Sequence, residues 1–287
     1  MTTLEPTSAP RERLSVVVIA RNEAARLPTC LRSVAFADEI VVVDSGSSDG
    51  TPDLARSLGA RVVETIDWPG FGPQKQRALA AATGDWVLSL DADEWVDDAL
   101  SAAIQAVVAG RPPAAHGPAA ADVWQVDRLS AFCGQWMRAG SWQPDRLPRL
   151  FRRGRARFSD DLVHERLLLI GGGDAASNAP MLPGLLLHNS ITSLHDGIEK
   201  MNRYTTDRAA DLRRRGRTGG LATALLHGGA AFLRSYVLRR GFVDGRRGFV
   251  LAVLDAQSSC ARHLKLWLDG RPVPHELPPP GGPGSKR

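Results

Sequence analysis

Short apolar runs alternate with stretches of helical spacing through the first hundred residues. Residues 14–20 (LSVVVIA) form an apolar, β-branched run, as expected for a strand covered on both faces of a sheet. Asn22 is then placed to cap a helix whose apolar positions include Ala24, Leu27, Leu31 and Val34. Residues 39–44 (EIVVVD) predict a second strand. The segment after it supplies a turn, Thr51 as a cap, Pro52 in the first helical turn and Gly59 past the helix end. A short third strand is expected at 61–64, a helix at 74–82 stopped by Thr83-Gly84, a fourth strand at 85–91 (DWVLSLD) and a further helix at 97–109.

This alternation predicts an α/β fold, a Rossmann-like, mostly parallel sheet flanked by helices with right-handed crossovers. Ligands of such sheets lie beyond the carboxyl ends of the strands, which brings residues 20–23, 44–49 and 91–94 around one crevice. A Pro/Ala/Gly connector at 110–122 reads as a surface loop, and short strands over 123–192 complete the sheet. Helical spacing resumes at 193, with further helices expected at 220–240 and 246–268. The predicted organisation is a sheet domain over 1–192, with one half at 14–109 and a second at 123–192. A basic helical extension follows at 193–268, and a disordered Pro/Gly tail at 269–287.

A chain of 287 residues with 43% hydrophobic and 23% charged residues excludes wholesale disorder and a disulfide scaffold. Cys30, Cys133 and Cys260 are widely separated and in no metal-ligand spacing, which fits a reducing compartment and argues against zinc. The net charge of +5 is local: residues 200–247 hold twelve Lys or Arg against three Asp, a net +9, so the rest of the chain carries −4. No aromatic-basic platform or helix-turn-helix pattern accompanies that segment, so nucleic acid is not an expected partner. The first residues lack the apolar core of a secretory signal, which predicts a cytoplasmic chain. The apolar stretch 218–233 is shorter than the ~20 residues a spanning helix needs.

The sharpest chemical feature is Asp91-Ala92-Asp93, followed by Glu94, at the end of an apolar strand. Two acids leaving a strand at i and i+2 can share a hard divalent cation and its diphosphate ligand. Taken alone the tripeptide also reads as a solvated strand end with turn-forming Asp. The acid cluster of VVVDSGSSDGT ends a second parallel strand, and so faces the same crevice.

The segments SVVVIARNEAARLPTCLRSV, DEIVVVDSGSSDGT and GFGPQKQRALAAATGDWVLSLDADE jointly resemble glycosyltransferase family 2. Trp142 with PDRLPRLFRRGRARFSDDLVHE, then LLLHNS and EKMNRYTTDRAADL, resemble the branch with the lipopolysaccharide core β-1,4-glucosyltransferases. The resemblance implies a GT-A fold, a UDP-sugar donor, a Mg²⁺ or Mn²⁺ ion and inverting transfer. It implies that Arg21, Asn22 and Glu23 seat the nucleotide, that Asp44 accepts from uracil or ribose, and that Lys75 lies near the base or diphosphate. Gln76 stands where the family usually has Asn. Asp91 is expected near ribose and metal, Asp93 on the metal, and His188 as a late metal ligand or a satisfied histidine at a strand end.

An inverting transfer also needs a carboxylate to take the acceptor proton. FSDDLVHE offers Asp160, Asp161 and Glu165. Resemblance to members with a His-Glu pair favours Glu165, with Asp161 second and His164 as an orienting group or a packed side chain. Arg146, Arg149, Arg152 and Arg153 are spaced to bring guanidinium groups over the crevice, and Trp136 or Trp142 to stack on a sugar.

In the basic segment Phe232, Leu233, Tyr236, Val237 and Leu238 stand beside Arg234, Arg239 and Arg240. Cations beside an apolar helix face suit an anionic membrane interface, hence a peripheral enzyme on the inner face of an inner membrane with a lipid-linked saccharide acceptor. The competing reading is a subdomain that packs on the sheet or forms a homo-oligomer. Two other function classes stay open: a non-catalytic membrane or carbohydrate-binding protein on the same scaffold, and a sugar nucleotidyltransferase. The latter needs a glycine-rich phosphate loop after the first strand, where ARNEAARL has none.

Overall fold

The structure, a computed structural model, describes residues 11–113, 121–161 and 165–269. His164, much of the expected connector and nearly all of the expected tail lie outside the described residues. In chain order the elements are β1 (Leu14–Ala20), α1 (Leu27–Ser33), β2 (Glu39–Asp44), α2 (Thr51–Ser57), β3 (Arg61–Glu64), α3 (Phe71–Ala81), β4 (Trp86–Asp91), β5 (Glu94–Val96) and α4 (Asp98–Val108). Then come β6 (Val123–Phe132), β7 (Gln135–Trp136), β8 (Arg146–Arg152), β9 (Ala156–Phe158), β10 (Leu167–Leu169) and β11 (Met181–Ile191). Three helices end the chain: α5 (Leu194–Arg214), α6 (Leu221–Phe232) and α7 (Gly245–Leu268). The chain divides into two compact units, residues 1–131 with 144–190, and residues 132–143 with 191–287. The second unit therefore takes in 132–143, a stretch that sequence pattern alone groups with the sheet.

The first unit is built on a sheet in the order β3-β2-β1-β4-β8-β6-β11-β5. Every residue of β1 is buried, because helices cover both faces of the parallel half. β1 pairs in parallel with β2 (Ala20 opposite Asp44) and with β4 (Ile19 opposite Asp91), so the two acid-bearing strand ends finish level with each other. The other half is antiparallel: β8 pairs with β4 and β6, and β11 with β5. Large side chains fill the middle, with Trp124, Leu150 and Phe151 fully buried. α4 starts where the Asp97 carboxylate accepts a 2.7 Å hydrogen bond from Leu100 N, and it buries Leu100, Ile104, Val107 and Val108.

Several local expectations are corrected. α1 begins at Leu27 and is capped by Arg26; Asn22 does not cap it but takes a left-handed backbone at φ 56°. α2 begins at Thr51 itself, with Gly50 before it as the cap. α3 begins at Phe71, three residues ahead of the expected start, and Gly72 is the reason it can sit where it does. A Cβ there would collide with the Ser159 carbonyl and lie 2.8 Å from that of Asp161, while Gly72 N donates to Asp161 O at 3.1 Å. The loop carrying the candidate bases is thus seated directly on the first turn of α3.

The second unit has its own small core of Phe132, Met137, Ile191, Leu251 and Leu254. Trp142 packs edge-on against Phe132 at 6.0 Å between ring centroids and so contributes to this core. The buried Asp244 carboxylate accepts from the backbone N–H of Arg138 and Ala139. α5 is capped by Ser193, whose hydroxyl accepts from Asp196 N. α6 runs on through a π-helical turn, Leu233–Leu238. The resulting helical stretch Leu221–Leu238 is 18 residues long and, by length and composition, apolar enough to cross a membrane. The shorter stretch seen in the sequence therefore understates it.

Candidate active site

The loops after β1 and β2 are tied together at the carboxyl edge of the sheet. Asn22 N donates to Ser47 Oγ (2.8 Å), Ser48 N donates to Asn22 Oδ1 (2.8 Å), Glu23 N to Thr51 Oγ1 (2.9 Å) and Ala24 N to Asp49 Oδ2 (3.0 Å). These bonds explain the left-handed Asn22, which short polar side chains tolerate. Asp44 is 1% exposed; one carboxylate oxygen accepts from Ser47 N at 2.8 Å and the other from the Ser47 hydroxyl. Asp44 thus braces this loop. Arg21 is exposed beside it, and Glu23 pairs with Arg26 at 3.2 Å.

One strand along, the ion pairs converge on Asp91. Lys75 from α3, with only 4% of its side chain exposed, places Nζ 2.8 Å from Asp91 Oδ1 and 2.6 Å from Glu165 Oε1. Arg149 from β8 donates to the other Asp91 oxygen (3.0 Å) and to Glu94 Oε1 (2.7 Å). Arg128 from β6 also donates to Glu94 Oε1 (2.8 Å), and Glu94 Oε2 accepts from Asp91 N (3.0 Å). Glu94 is fully buried, so two guanidinium groups and a backbone amide satisfy a charge that water cannot reach. Burial pushes the Asp91 carboxyl up, but Lys75 and Arg149 outweigh it and hold the group well below the usual carboxylate range. Lys75 and Arg149 thus favour the anionic form of Asp91. Beneath it, burial pushes the Cys30 thiol well up, with Glu94, Asp91 and Asp93 adding to the shift, so this cysteine stays a thiol.

Asp93 lies in the turn just before β5, where β11 passes antiparallel with His188 opposite Glu94. His188 Nε2 faces Asp93 Oδ2 at 3.4 Å, Nδ1 sits 2.9 Å from Ser130 Oγ, and Asn189 N donates to Asp93 O at 3.1 Å. Among the described residues no three His, Cys, Asp or Glu side chains converge as a closed metal cage would require. Mg²⁺ and Mn²⁺ do not need one, since they bind through one or two protein groups plus substrate phosphates and water. A partly buried carboxylate facing an imidazole whose far nitrogen is held by a hydroxyl fits such an ion. Asp91, with both oxygens held by cations, fits the donor side better than direct ligation.

Of the candidate bases, Glu165 joins this network through Lys75. Asp161 does not: its carboxylate accepts from Ser159 Oγ (2.8 Å) and lies 3.6 Å from Arg166. Arg149 is the one arginine of its group that reaches the acids. Arg152 pairs with Glu12 and covers the Trp86 ring, and Arg153 donates to Gly84 O. Gln76 accepts from Phe158 N at 2.9 Å, a structural tie between α3 and β9. Glu94 and Arg128 were not singled out from the sequence. Glu94 had a signal, as the residue directly after the acidic tripeptide; Arg128 had none, since its place depends on antiparallel register. A cavity of about 290 Å³ lined by Leu31, Arg32, Asp38, Glu39 and Leu58 lies at the amino end of β2, away from these acids.

Residues 15–128 match the family model described as glycosyl transferase family 2. A lipopolysaccharide core biosynthesis glycosyltransferase, LpsC, of Rhizobium meliloti is 30% identical over 267 residues, 88% of this chain and 94% of its own length. An uncharacterized glycosyltransferase of Rickettsia prowazekii is 29% identical over 262 residues, covering 89% of this chain and 87% of that one. A crystal structure of glucosyl-3-phosphoglycerate synthase from Mycobacterium tuberculosis with Mn²⁺ and UDP-glucose is similar over 42% of this chain and 44% of that one, at 27% identity and a TM-score of 0.33.

Proposed function

The chain belongs to glycosyltransferase family 2 and is a nucleotide-sugar-dependent glycosyltransferase, and from that premise we propose that it transfers glucose from UDP-glucose, with inversion, to a saccharide of the lipopolysaccharide inner core. The acceptor reading is supported by the likeness to LpsC over nearly the whole of both chains. The family sets aside the nucleotidyltransferase and the non-catalytic binding protein. The place of action that follows is the cytoplasmic face of an inner membrane, with peripheral attachment.

The observation that carries the catalytic assignment is the double bridge of Lys75, which links the acidic strand end to the carboxylate of Glu165. Arg21, Glu23 and Asp44 form the nucleoside end of the crevice, and Asp91 the ribose side. Asp93 and His188 would hold a divalent cation, which would supply positive charge against the departing diphosphate. Lys75 is the second cation in reach of that diphosphate. Glu165 takes the proton of the acceptor hydroxyl, the freed oxygen pair bonds to the anomeric carbon, and the bond from that carbon to the diphosphate breaks with its electrons leaving on UDP. Asp161 remains the reserve base.

The test is a panel of nucleotide sugars incubated with the enzyme, Mn²⁺ and a heptose-terminated core acceptor, reading nucleotide diphosphate release and product mass. UDP-glucose is expected to give acceptor-dependent release. Preference for another donor would overturn the glucose assignment, and release without any product on the core acceptor would overturn the acceptor.

A further inference from the structure

In a helix that packs on a globular core, large apolar side chains face inward and small or polar ones outward. The stretch Leu221–Leu238 does the reverse. Its buried positions are Ala224, Gly228 and Ser235. They lie against α7, where a Cβ at Gly228 would stand 3.2 Å from the Ala256 carbonyl and 3.3 Å from Cys260 Cβ, and where His227 stacks on His263 at 4.4 Å. The large residues point away: Leu221, Leu225, Leu226, Leu233, Val237 and Leu238 are all exposed, Leu226 by 73% and Leu238 by 72%. Only 17% of the stretch is buried.

The row continues past the helix into Phe242, Val243 and Phe249, each about half exposed. Phe232 and Tyr236, which the sequence offered as apolar anchors, are not on this surface. They form an aromatic prop behind it, with Tyr236 edge-on to Phe249 at 5.5 Å and to Phe242 at 6.3 Å, and Phe232 5.7 Å from Phe249. The prop holds the apolar row as a preformed ridge. Exposed arginines Arg234, Arg240, Arg246 and Arg247 flank it, while Asp244, the acid of this stretch, is buried under the backbone amides of Arg138 and Ala139.

We propose that this ridge docks on an anionic lipid surface, the leucine row and Phe242 entering the headgroup–acyl boundary and the arginines pairing with lipid phosphates. A contiguous apolar ridge of this kind marks an interaction surface, and a rim of one charge sign selects an oppositely charged partner. A second copy of this chain would bring the same arginines against each other, so charge favours lipid over self-association. The inference deepens the peripheral attachment read above, and it does not depend on donor or acceptor chemistry.

The experiment is flotation of the full chain, without sugar nucleotide or acceptor, on vesicles of phosphatidylglycerol or of phosphatidylcholine. Binding is expected on the anionic vesicles, weaker by about tenfold on the neutral ones and about tenfold weaker at high salt. The double variant Leu226→Gln, Leu238→Gln and the triple variant Arg234→Glu, Arg240→Glu, Arg246→Glu should each lose binding with an unchanged circular dichroism melt, since all five positions are exposed. Equal flotation on both vesicle types, or no flotation, overturns the proposal, as does binding that resists high salt and carbonate, which would make the stretch a span. A vesicle-free chain that sediments as a dimer and loses the dimer in the leucine variant assigns the ridge to a second copy and overturns it too. Because no turnover is read, none of these results bears on glycosyl transfer.

Discussion

Lys75 and Glu165 meet at 2.6 Å, Nζ to Oε1, and the same ammonium holds Asp91 at 2.8 Å. A single buried cation thus keeps two carboxylates from different loops in one place. Removing it leaves Glu165 without its cation and Asp91 with Arg149 alone. Lys75→Met should lower stability by roughly 3–5 kcal/mol at pH 7, the cost of breaking a buried pair from one side. Urea unfolding measures this, and a loss below ~1 kcal/mol would mean that Arg149 alone carries Asp91.

Glu165→Gln keeps the shape of the side chain and its contact to Lys75 but cannot accept a proton. Donor affinity by calorimetry should hold within about twofold while turnover falls by on the order of 10² to 10⁴. Unchanged turnover would move the base to Asp161, and Asp161→Asn would then show the loss.

Asp93→Ala should weaken Mn²⁺-dependent UDP binding by more than about tenfold and leave the melting temperature within a few degrees, because the carboxylate lies between two strands and faces only His188. His188→Ala should weaken the metal dependence in the same direction. UDP titrations with and without Mn²⁺ separate the two effects, and full Mn²⁺ dependence in the Asp93 variant would remove it from the metal.

Glu39 supplies a pH signature away from the site. Burial pushes its carboxyl up, but bonds from Ser15 Oγ, Arg61 and the backbone and hydroxyl of Thr83 outweigh it and hold it at about 2, against 4.5 for a free glutamate. Its folded pKa is the lower one, so the stabilisation is complete above the unfolded value and disappears as pH falls toward the folded one. Glu39→Gln should cost roughly 2 kcal/mol at pH 7, with the gap to the native chain closing between about pH 4.5 and 2. Denaturant midpoints at several pH values test this, and a gap constant with pH would rule it out.

The parallel half of the sheet was legible because strands buried on two faces leave unbroken apolar runs, and an acid ending such a run is conspicuous. Asp44, Asp91 and Asp93 were found in this way. What local pattern could not show was pairing across the antiparallel half. Glu94, Arg128 and Arg149 become one cluster only when β5, β6 and β8 are in register, and register is a long-range property. Asn22 reads as a cap on its own; Ser47 and Ser48, from the next loop, turn it into a left-handed brace. In the helical unit the surface was misread for a similar reason. Phe232 and Tyr236 read as surface anchors within their own helix, but their rings pack with Phe242 and Phe249, partners that come from beyond it.

Glu94 also depends on parts of the chain that are made after it. It leaves the ribosome soon after the acidic tripeptide, but its ladder partner is β11 and its two counterions arrive on β6 and β8. A nascent chain that ends at α4 holds the strands of the nucleotide half and a carboxylate with nothing to neutralise it. That half is consequently no transplantable cassette. Grafted alone, or released early by a protease, it would have to expose Glu94 to water, because the two guanidinium groups that neutralise it lie on β6 and β8.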